Sequence, residues 1–471
     1  MLTYSFANLH GDSMYNHLYK CIKKDIAAGT LQANEKLPSK RTLAKNLGVS
    51  LITIENAYAQ LAVEGYIYSR PKRGYYVANL QQQTPSQKRV LPPAAAWTAD
   101  KKKPLLSFAQ SSVPSDTFPY NTWARLLRHT LTTADEHALI SDSSAGGAAT
   151  LRRALARHLY QFRGMQVQPE QIIIGAGTQT LYNLIVQLLG RSHIYALEDP
   201  GYPQLAAIYR ANDVFCRHLP MDNQGLCADV LASRGADILH ITPSHQFPTG
   251  VTMPISRRYE LLRWAAQKSC RYIIEDDYDC EFRLSGKPIP PLQSIDTEEK
   301  VIYINTFSKT LAPTFRVSYM LLPPHLATLF YEKLGFYSCT VSNFEQFTLA
   351  KFIDDGYFER HINRMRTYYR NKRDLLLQYL AGCPAANALR PAGEDSGLHF
   401  LLHLATDAPD TVLKQAAAEQ NIEIKFLSDY YYQKTNDYSH TLLMNYAGLA
   451  EERLYPALDK LFSALLPYLK L

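Results

Sequence analysis

INTFSKTLAPTFRVSY, residues 304–319, decides how the larger part of this chain folds. The apolar, β-branched run VIYIN leads into it and predicts a buried strand, with Lys309 just beyond the strand end. Thr306, Ser308 and Arg316 flank the lysine. An amine in that setting can form an imine with an aldehyde, while hydroxyls and a guanidinium neutralise a phosphate on the same molecule. A lysine after a strand is more often an ordinary surface residue, so the run needs support from elsewhere in the chain.

Three further runs supply it. IIEDDYDCEF, residues 273–282, ends a strand in acidic residues, and carboxylates in such apolar surroundings cost several kcal/mol unless they meet a cation. A pyridinium nitrogen on Asp276 is such a cation, and Tyr278 can hydrogen-bond a phenolic oxygen on the same ring. GAGTQT, residues 175–180, opens a helix after the strand QIII, so the backbone N–H groups of Gly177, Thr178 and Gln179 can hold the phosphate. EDPGYPQ, residues 198–204, sets Tyr202 after another strand end, where its ring can stack on a pyridine. Each run alone is a strand end with ordinary turn residues. Together they place one ligand at the carboxyl ends of parallel strands, where open α/β sheets bind ligands. Strands such as HIYALED and ADILHITP alternate with helical stretches over the same region and predict a parallel sheet covered on both faces.

Residues 13–79 read differently. Met14, Leu18, Ile22 and Ile26 form one helical stripe, which Gly29 ends. Ser39 can cap a second helix that Gly48 ends, and Ser50 can cap a third carrying Ile54, Ala57, Tyr58 and Leu61, which Gly65 ends. Two β-rich runs, YIYS and YYVA, then flank the basic tip Arg70-Pro71-Lys72-Arg73-Gly74. Two short helices joined through Gly48 satisfy the helix-turn-helix description, the outer face of the second bearing Ser50, Leu51, Thr53, Asn56 and Gln60. Entry into a major groove about 12 Å wide requires that face to be free of large apolar residues. A small helical domain for protein contact fits the same pattern.

The charge distribution fits a nucleic-acid partner and equally a solvated basic surface. The 471-residue chain has a net charge of +7, yet residues 1–103 hold 15 Lys and Arg against 6 Asp and Glu, and the remainder 35 against 37. The excess sits where a polyanion would be met. Residues 80–105, rich in Gln, Pro, Ala and Lys without an apolar period, read as a linker between residues 10–79 and 106–471. An apolar fraction of 46% and a charged fraction of 20% exclude wholesale disorder. No run is long enough to span a membrane, and MLTYSFANLHGDSMYNHLYK lacks the basic-then-apolar layout expected of a secretory signal. Seven scattered cysteines without a C-x-x-C pair argue against a disulfide framework or a metal site and for a cytoplasmic location.

The run LPSKRTLAKNLGVSLITIENAYAQLAVEGYIYSRPKRGYYV resembles the winged-helix domain of GntR-type bacterial regulators over about 65 residues. The resemblance implies binding to a double-stranded DNA operator, with Arg41 on a phosphate or base, Ser50 and Thr53 at the groove, Lys72 and Arg73 near the backbone or minor groove, and Gly74 letting the wing approach. Leu51 stands where an arginine is common in such regulators, and Glu55 where some carry a second, so the usual guanine readout does not carry over. Leu51 can instead touch a thymine methyl.

From residue 106 onward the chain resembles the fold type I aminotransferases, and among them the aminotransferase-like domain of MocR regulators. The lysine run, EDDYD, EDPGY, TPSHQFPTG (residues 242–250) and SGLHFLL (residues 396–402) carry the likeness. It implies a multidomain protein, an N-terminal winged helix-turn-helix joined to an α/β domain binding pyridoxal 5′-phosphate, usually a head-to-tail homodimer. By that resemblance Lys309 forms the imine, Asp276 pairs the ring nitrogen, Tyr278 meets the phenolic oxygen, Tyr202 stacks, and Gly177, Thr178, Gln179, Thr306 and Arg316 hold the phosphate. The departures concern substrate. The arginine that clamps a carboxylate in aminotransferases aligns with Leu443, a second arginine of amino-acid-sensing members aligns with Gln204, and the phosphate-binding tyrosine before Gly146 aligns with Ser141. The expectation is therefore a transcriptional regulator that senses pyridoxal phosphate or an adduct of it with an amine, and not an enzyme. The alternative is a genuine aminotransferase with an accessory DNA-binding domain. A third reading, a large domain kept only for dimerisation, is opposed by the intact Lys309, Asp276 and Tyr278.

Overall fold

The structure is a computed structural model, and it describes residues 3–6, 11–80, 106–109, 114, 117–284, 289–394, 397–432 and 440–470. The chain divides into two compact units, Met1–Lys101 and Lys102–Leu471. Apart from Leu80, the linker expected over residues 80–105 lies outside the described residues.

In the first unit, helices α1 (Met14–Ala27), α2 (Lys40–Leu47) and α3 (Leu51–Val63) precede a hairpin of β1 (Ile67–Arg70) and β2 (Gly74–Val77). The local signals act as stop and start marks. Ser39 accepts from the Thr42 N–H at 3.1 Å and Ser50 from the Thr53 N–H at 3.2 Å, while Gly48 takes the left-handed conformation at φ 65°. Leu18, Ile22, Leu43, Ile54, Ala57, Tyr58 and Leu61 close one core with Ile67 and Val77 of the hairpin. One expectation fails. The outer face of α3 carries large apolar residues, with Leu51 39% and Ile52 67% exposed. Positions 54, 57, 58 and 61 take the core side, and at 100° per residue position 52 falls on the far side of the helix; apolar residues there do not bar groove entry, because thymine methyls accept apolar contact.

The second unit is a three-layer α/β domain with a smaller C-terminal lobe. Its strands are β3 (Leu106–Ser107), β4 (Ile172–Gly175), β5 (Ile194–Asp199), β6 (Phe215–Asp222), β7 (Gly225–Leu226), β8 (Ile238–Ile241), β9 (Tyr272–Asp276), β10 (Val301–Thr306), β11 (Ser318–Leu321), β12 (Leu389–Ala392), β13 (His399–Leu404), β14 (Ile422–Glu423) and β15 (Thr441–Asn445). The main sheet runs β4-β11-β10-β9-β8-β5-β6-β7. Alternation along its strands divides the two faces. Ile173, Ile302, Ile304 and Met320 pack with the helices Thr178–Leu189 and Pro324–Leu334, whereas Ile172, Ile174, Tyr303, Tyr319 and Leu321 pack with Ala149–Arg163 and Asn343–Asp354.

The expected all-parallel sheet needs one correction besides the short edge strand β7: β11 is antiparallel to both β10 and β4. The segment between β10 and β11 is shorter than a crossover to a parallel neighbour requires, so the chain folds back beside the strand it has just left. In the C-terminal lobe, β12, β13 and β15 form an antiparallel sheet, and β14 pairs with β3 near the start of the unit. Its core includes Phe108, Phe400, Leu402, Leu442 and Met444, packed with residues of the helices Tyr357–Gly382 and Glu451–Leu465. Among the described residues no helix is long and apolar enough to cross a membrane, and no group of His, Cys, Asp and Glu could hold a metal ion.

Candidate cofactor site and DNA-binding surface

The carboxyl ends of β4, β5, β9 and β10 bring the separate runs to one edge of the sheet. After β4 the chain turns at Gly177, φ 86°, into the helix Thr178–Leu189. A Cβ at position 177 would lie 2.2 Å from Nη2 of Arg316, so only glycine lets the guanidinium rest against this turn. The first N–H groups of the helix and the Arg316 charge thus converge, as an anion-binding cradle requires. Thr306 and Ser308 shape the neighbouring loop. The Ser308 N–H and the Ser318 hydroxyl donate to Thr306 Oγ1 at 3.1 and 2.8 Å, and Ser308 Oγ donates to the Phe315 carbonyl at 3.3 Å. Thr340, which the motifs did not single out, accepts from the Ala176 N–H at 2.9 Å and fixes the approach to Gly177.

Lys309 stands beyond β10. Burial pushes its ammonium below the ordinary lysine value of 10.5, with Asp279 partly opposing the shift, so the nucleophilic neutral amine is easier to reach than in a free lysine. Asp276, at the end of β9, accepts a hydrogen bond from the Tyr182 hydroxyl on Oδ2, and His240 Nε2 lies 3.7 Å from the same oxygen. Asp276 Oδ1 is buried and has no donor among the described residues. A protonated ring nitrogen would supply one.

Tyr278 is half-buried, and desolvation together with the nearby carboxylates of Asp279 and Asp276 holds its hydroxyl well above the usual phenol range. That hydroxyl lies 3.2 Å from His245 Nδ1, which is 2.8 Å from Asp279 Oδ2. A Cβ at Gly397 would stand 2.0 Å from His245 Cε1, and this glycine therefore lets residues 397–402 lie against the segment that carries His245. His399 accordingly lies tilted against His245, ring centroids 4.9 Å apart, with Nε2 3.2 Å from the Pro248 carbonyl. His245, Asp279 and His399 were absent from the candidate residues, although both histidines lie inside quoted motifs.

Tyr202 is 44% exposed at the N-terminus of the helix Pro203–Ala211, its ring edge-on to Phe247 at 6.0 Å. Beside it opens a cavity of about 210 Å³ walled by Glu198, His240, Thr242, Phe247 and Tyr430–Tyr432. Leu443 is wholly buried against Leu401, Leu427 and Tyr430, with Phe247 and Tyr431 packed on the same cluster. Gln204 is exposed in the first turn after Tyr202, and Ser141 donates to the His137 carbonyl at 2.6 Å, closing a short helix. Arg210 and His218 also line the cavity, and Lys425 Nζ lies 5.9 Å over the Tyr430 ring.

These donors fit pyridoxal phosphate. An amine of lowered basicity, a carboxylate oxygen awaiting a donor, a phenol and an anion cradle that admits no side chain at Gly177 meet at one sheet edge.

In the first unit Arg41 is exposed in the first turn of α2 and makes no ion pair among the described residues. Lys72, at φ 61°, Arg73 and Gly74, at φ 105°, form the exposed tip of the hairpin, where the Arg70 guanidinium lies 4.8 Å over the Tyr76 ring. The Ser50 and Thr53 hydroxyls are 2.9 Å apart and engaged in the cap of α3.

Residues 14–77 match the family described as bacterial regulatory proteins, gntR family, and residues 115–460 match aminotransferase class I and II. The HTH-type transcriptional regulator YhdI of Bacillus subtilis is 38% identical over 96% of both chains. The probable rhizopine catabolism regulatory protein MocR of Rhizobium meliloti is 30% identical over 96% of this chain and 94% of its own. Among solved structures, the α-aminoadipate aminotransferase LysN of Thermus thermophilus, complexed with N-(5′-phosphopyridoxyl)-L-leucine, superposes with a TM-score of 0.66 at 25% identity, covering 78% of this chain and 93% of that one. With both domains matched and regulators of the same architecture aligned almost end to end, the chain belongs to the MocR-type regulators of the GntR family, a winged helix joined to a fold type I aminotransferase-like domain.

Proposed function

We propose that this chain is a DNA-binding transcriptional regulator whose large domain senses pyridoxal phosphate, or the product of its condensation with an amine, and not an aminotransferase. One observation carries the reading: Lys309, Asp276, Tyr278 and Arg316, which suit the cofactor, stand beside a pocket whose expected carboxylate-clamping position is Leu443, buried in an apolar cluster. Bound pyridoxal phosphate supplies an aldehyde that condenses with primary amines. Arg316 and the N-terminus of the helix Thr178–Leu189 bind its phosphate, Asp276 Oδ1 accepts the ring N–H, Tyr278 orients the phenolic oxygen, and Lys309 offers the amine. Tyr202 covers the ring.

In this reading the protein acts as a homodimer whose two winged helices meet two half-sites, and ligand binding shifts it between arrangements that space them differently. The intact Lys309, Asp276 and Tyr278 equally suit an aminotransferase. What speaks against that is the apolar Leu443 at the position where the resemblance expects a guanidinium to orient a substrate carboxylate.

The test is DNA affinity with and without pyridoxal phosphate, in the wild type and in Lys309→Ala. The expected result is a ligand-dependent change in the wild type that the variant loses, together with loss of the visible absorption band and of borohydride fixation. DNA affinity indifferent to the ligand in both proteins overturns the sensing role.

A further inference from the structure

The recognition helix α3 contains no lysine or arginine. Its exposed positions are Leu51, Ile52, Asn56, Ala59, Gln60 and Val63, with Glu55 half-buried beside them. Two of the polar groups on this face are already committed. Glu55 holds Lys40 at 3.3 Å, and Gln60 Nε2 donates to Glu64 Oε1 at 2.7 Å. The Ser50 and Thr53 hydroxyls are spent on the helix cap. Asn56 is the amide on the face that has no hydrogen bond among the described residues. Ile52 and Asn56 are four residues apart, hence neighbours on one side of the helix, and Leu51 and Ile52 occupy its first turn, the end that meets base edges.

The groove code turns this into a sequence preference. Guanine is read by the donors of arginine or lysine, and cytosine by a free carboxylate. Adenine is read by both ends of an asparagine or glutamine amide, and thymine by apolar contact with its methyl. α3 lacks the first, has neutralised the second and displays the last two. Charge complementarity to the backbone comes from outside the helix, from exposed Arg41 and Lys45 on α2 and from Lys72 and Arg73 on the wing.

We propose that α3 reads A·T base pairs: Asn56 engages an adenine edge in the major groove, and Leu51 and Ile52 cover thymine methyls. Ala59, small and exposed one turn on from Asn56, lets the helix lie close to the groove floor. This inference rests on residues 14–77 being a DNA-binding domain, and the experiment separates the two.

Full-length protein, with and without pyridoxal phosphate, is used to select duplexes from a random pool. Half-sites with A·T pairs at the positions α3 covers are expected. Replacing thymine by deoxyuridine in a selected duplex removes only the methyl and should cost wild-type protein about fourfold in affinity per contact. Ile52→Ala, an exposed change that leaves the core intact, should weaken binding to the thymine duplex and show no further loss with deoxyuridine at its position. Asn56→Ala should lose roughly 5- to 150-fold preference for adenine at one position. Half-sites read through G·C pairs, or equal affinity for thymine and deoxyuridine duplexes, overturn the inference while DNA binding stands. Failure to select any duplex overturns DNA binding itself, and this inference with it.

Discussion

The hydroxyl of Tyr182 donates to Oδ2 of Asp276, which leaves Oδ1 of the same carboxylate buried with no donor among the described residues. Burial and the adjacent carboxylate hold the Tyr182 phenol well above its usual range, so it stays a proton donor. The pair forms half of a charge-assisted network and leaves the other half for a ligand N–H.

Tyr182→Phe removes the fixed donor and leaves Asp276 with two unsatisfied oxygens in an apolar setting, a cost of about 1.5–3 kcal/mol for a bond to a charged group. A spectroscopic titration with pyridoxal phosphate should show affinity reduced roughly 10- to 100-fold, with secondary structure intact. An unchanged affinity would mean that Asp276 is not the ring-nitrogen partner.

Gly177→Ala tests the phosphate cradle. The added methyl would meet the Arg316 guanidinium at 2.2 Å, at a φ of 86° that L side chains rarely adopt. The arginine must withdraw, and the turn is strained by about 1–3 kcal/mol. Affinity for pyridoxal phosphate should fall by more than tenfold, whereas that for pyridoxal, which carries no phosphate, should change little. Equal losses for the two compounds would place the phosphate elsewhere.

Stability should carry the mark of three buried carboxyls. Burial pushes Glu198, Glu275 and Glu281 each up to about 7 from 4.5, and Asp277 adds to the shift of the latter two. A carboxyl whose pKa is higher folded than unfolded holds its proton longer in the native state. Its contribution is fully present below about pH 4.5 and is lost as pH rises through about 7. The carboxyls' contribution to the melting temperature should therefore decline from pH 5 to 8, against the opposite slope of His158, His361 and His399, whose imidazoles burial pushes down. Glu281→Gln keeps an acceptor for the Asn305 amide, 3.3 Å from Oε1, and removes the ionisation, so the decline should be shallower in the variant. Parallel profiles for the two proteins would show that Glu281 does not titrate in this range.

The features legible in the sequence were those set by local chemistry. Ser39, Gly48 and Ser50 mark helix ends through bonds and dihedrals within a few residues of themselves, and Lys309, Asp276 and Gly177 each follow a strand whose apolar run announces it. The His245–Asp279 contact was not legible, because it joins residues 34 positions apart. His399 arrives from a different lobe, brought close only by the missing side chain of Gly397. The reversal of β11 was hidden for a related reason. VSYMLL is as apolar as its parallel neighbours, and direction is set by the length of the preceding loop and not by strand composition. Ile52 was overlooked because a periodic pattern identifies the buried side of a helix and says little about what else stands on the open one.

Leu443 carries the last prediction. An amino-acid substrate must be held with its Cα–H bond across the cofactor face, and a bidentate arginine on the carboxylate largely fixes that orientation. Here an incoming carboxylate would meet Leu443 among Leu401, Leu427 and Tyr430, with the neutral Gln204 exposed in the turn after Tyr202. Placing a charge in that cluster without a partner costs several kcal/mol, so the carboxylate is repelled from the position catalysis needs. Holo protein mixed with millimolar alanine, glutamate or 4-aminobutyrate should keep its visible absorption band for hours and form no keto product. An amine without a carboxylate escapes this penalty and should change the band more readily than the matching amino acid. Rapid keto-acid formation from any of the three would overturn the regulatory reading of the pocket and establish an aminotransferase that orients its substrate without the clamp.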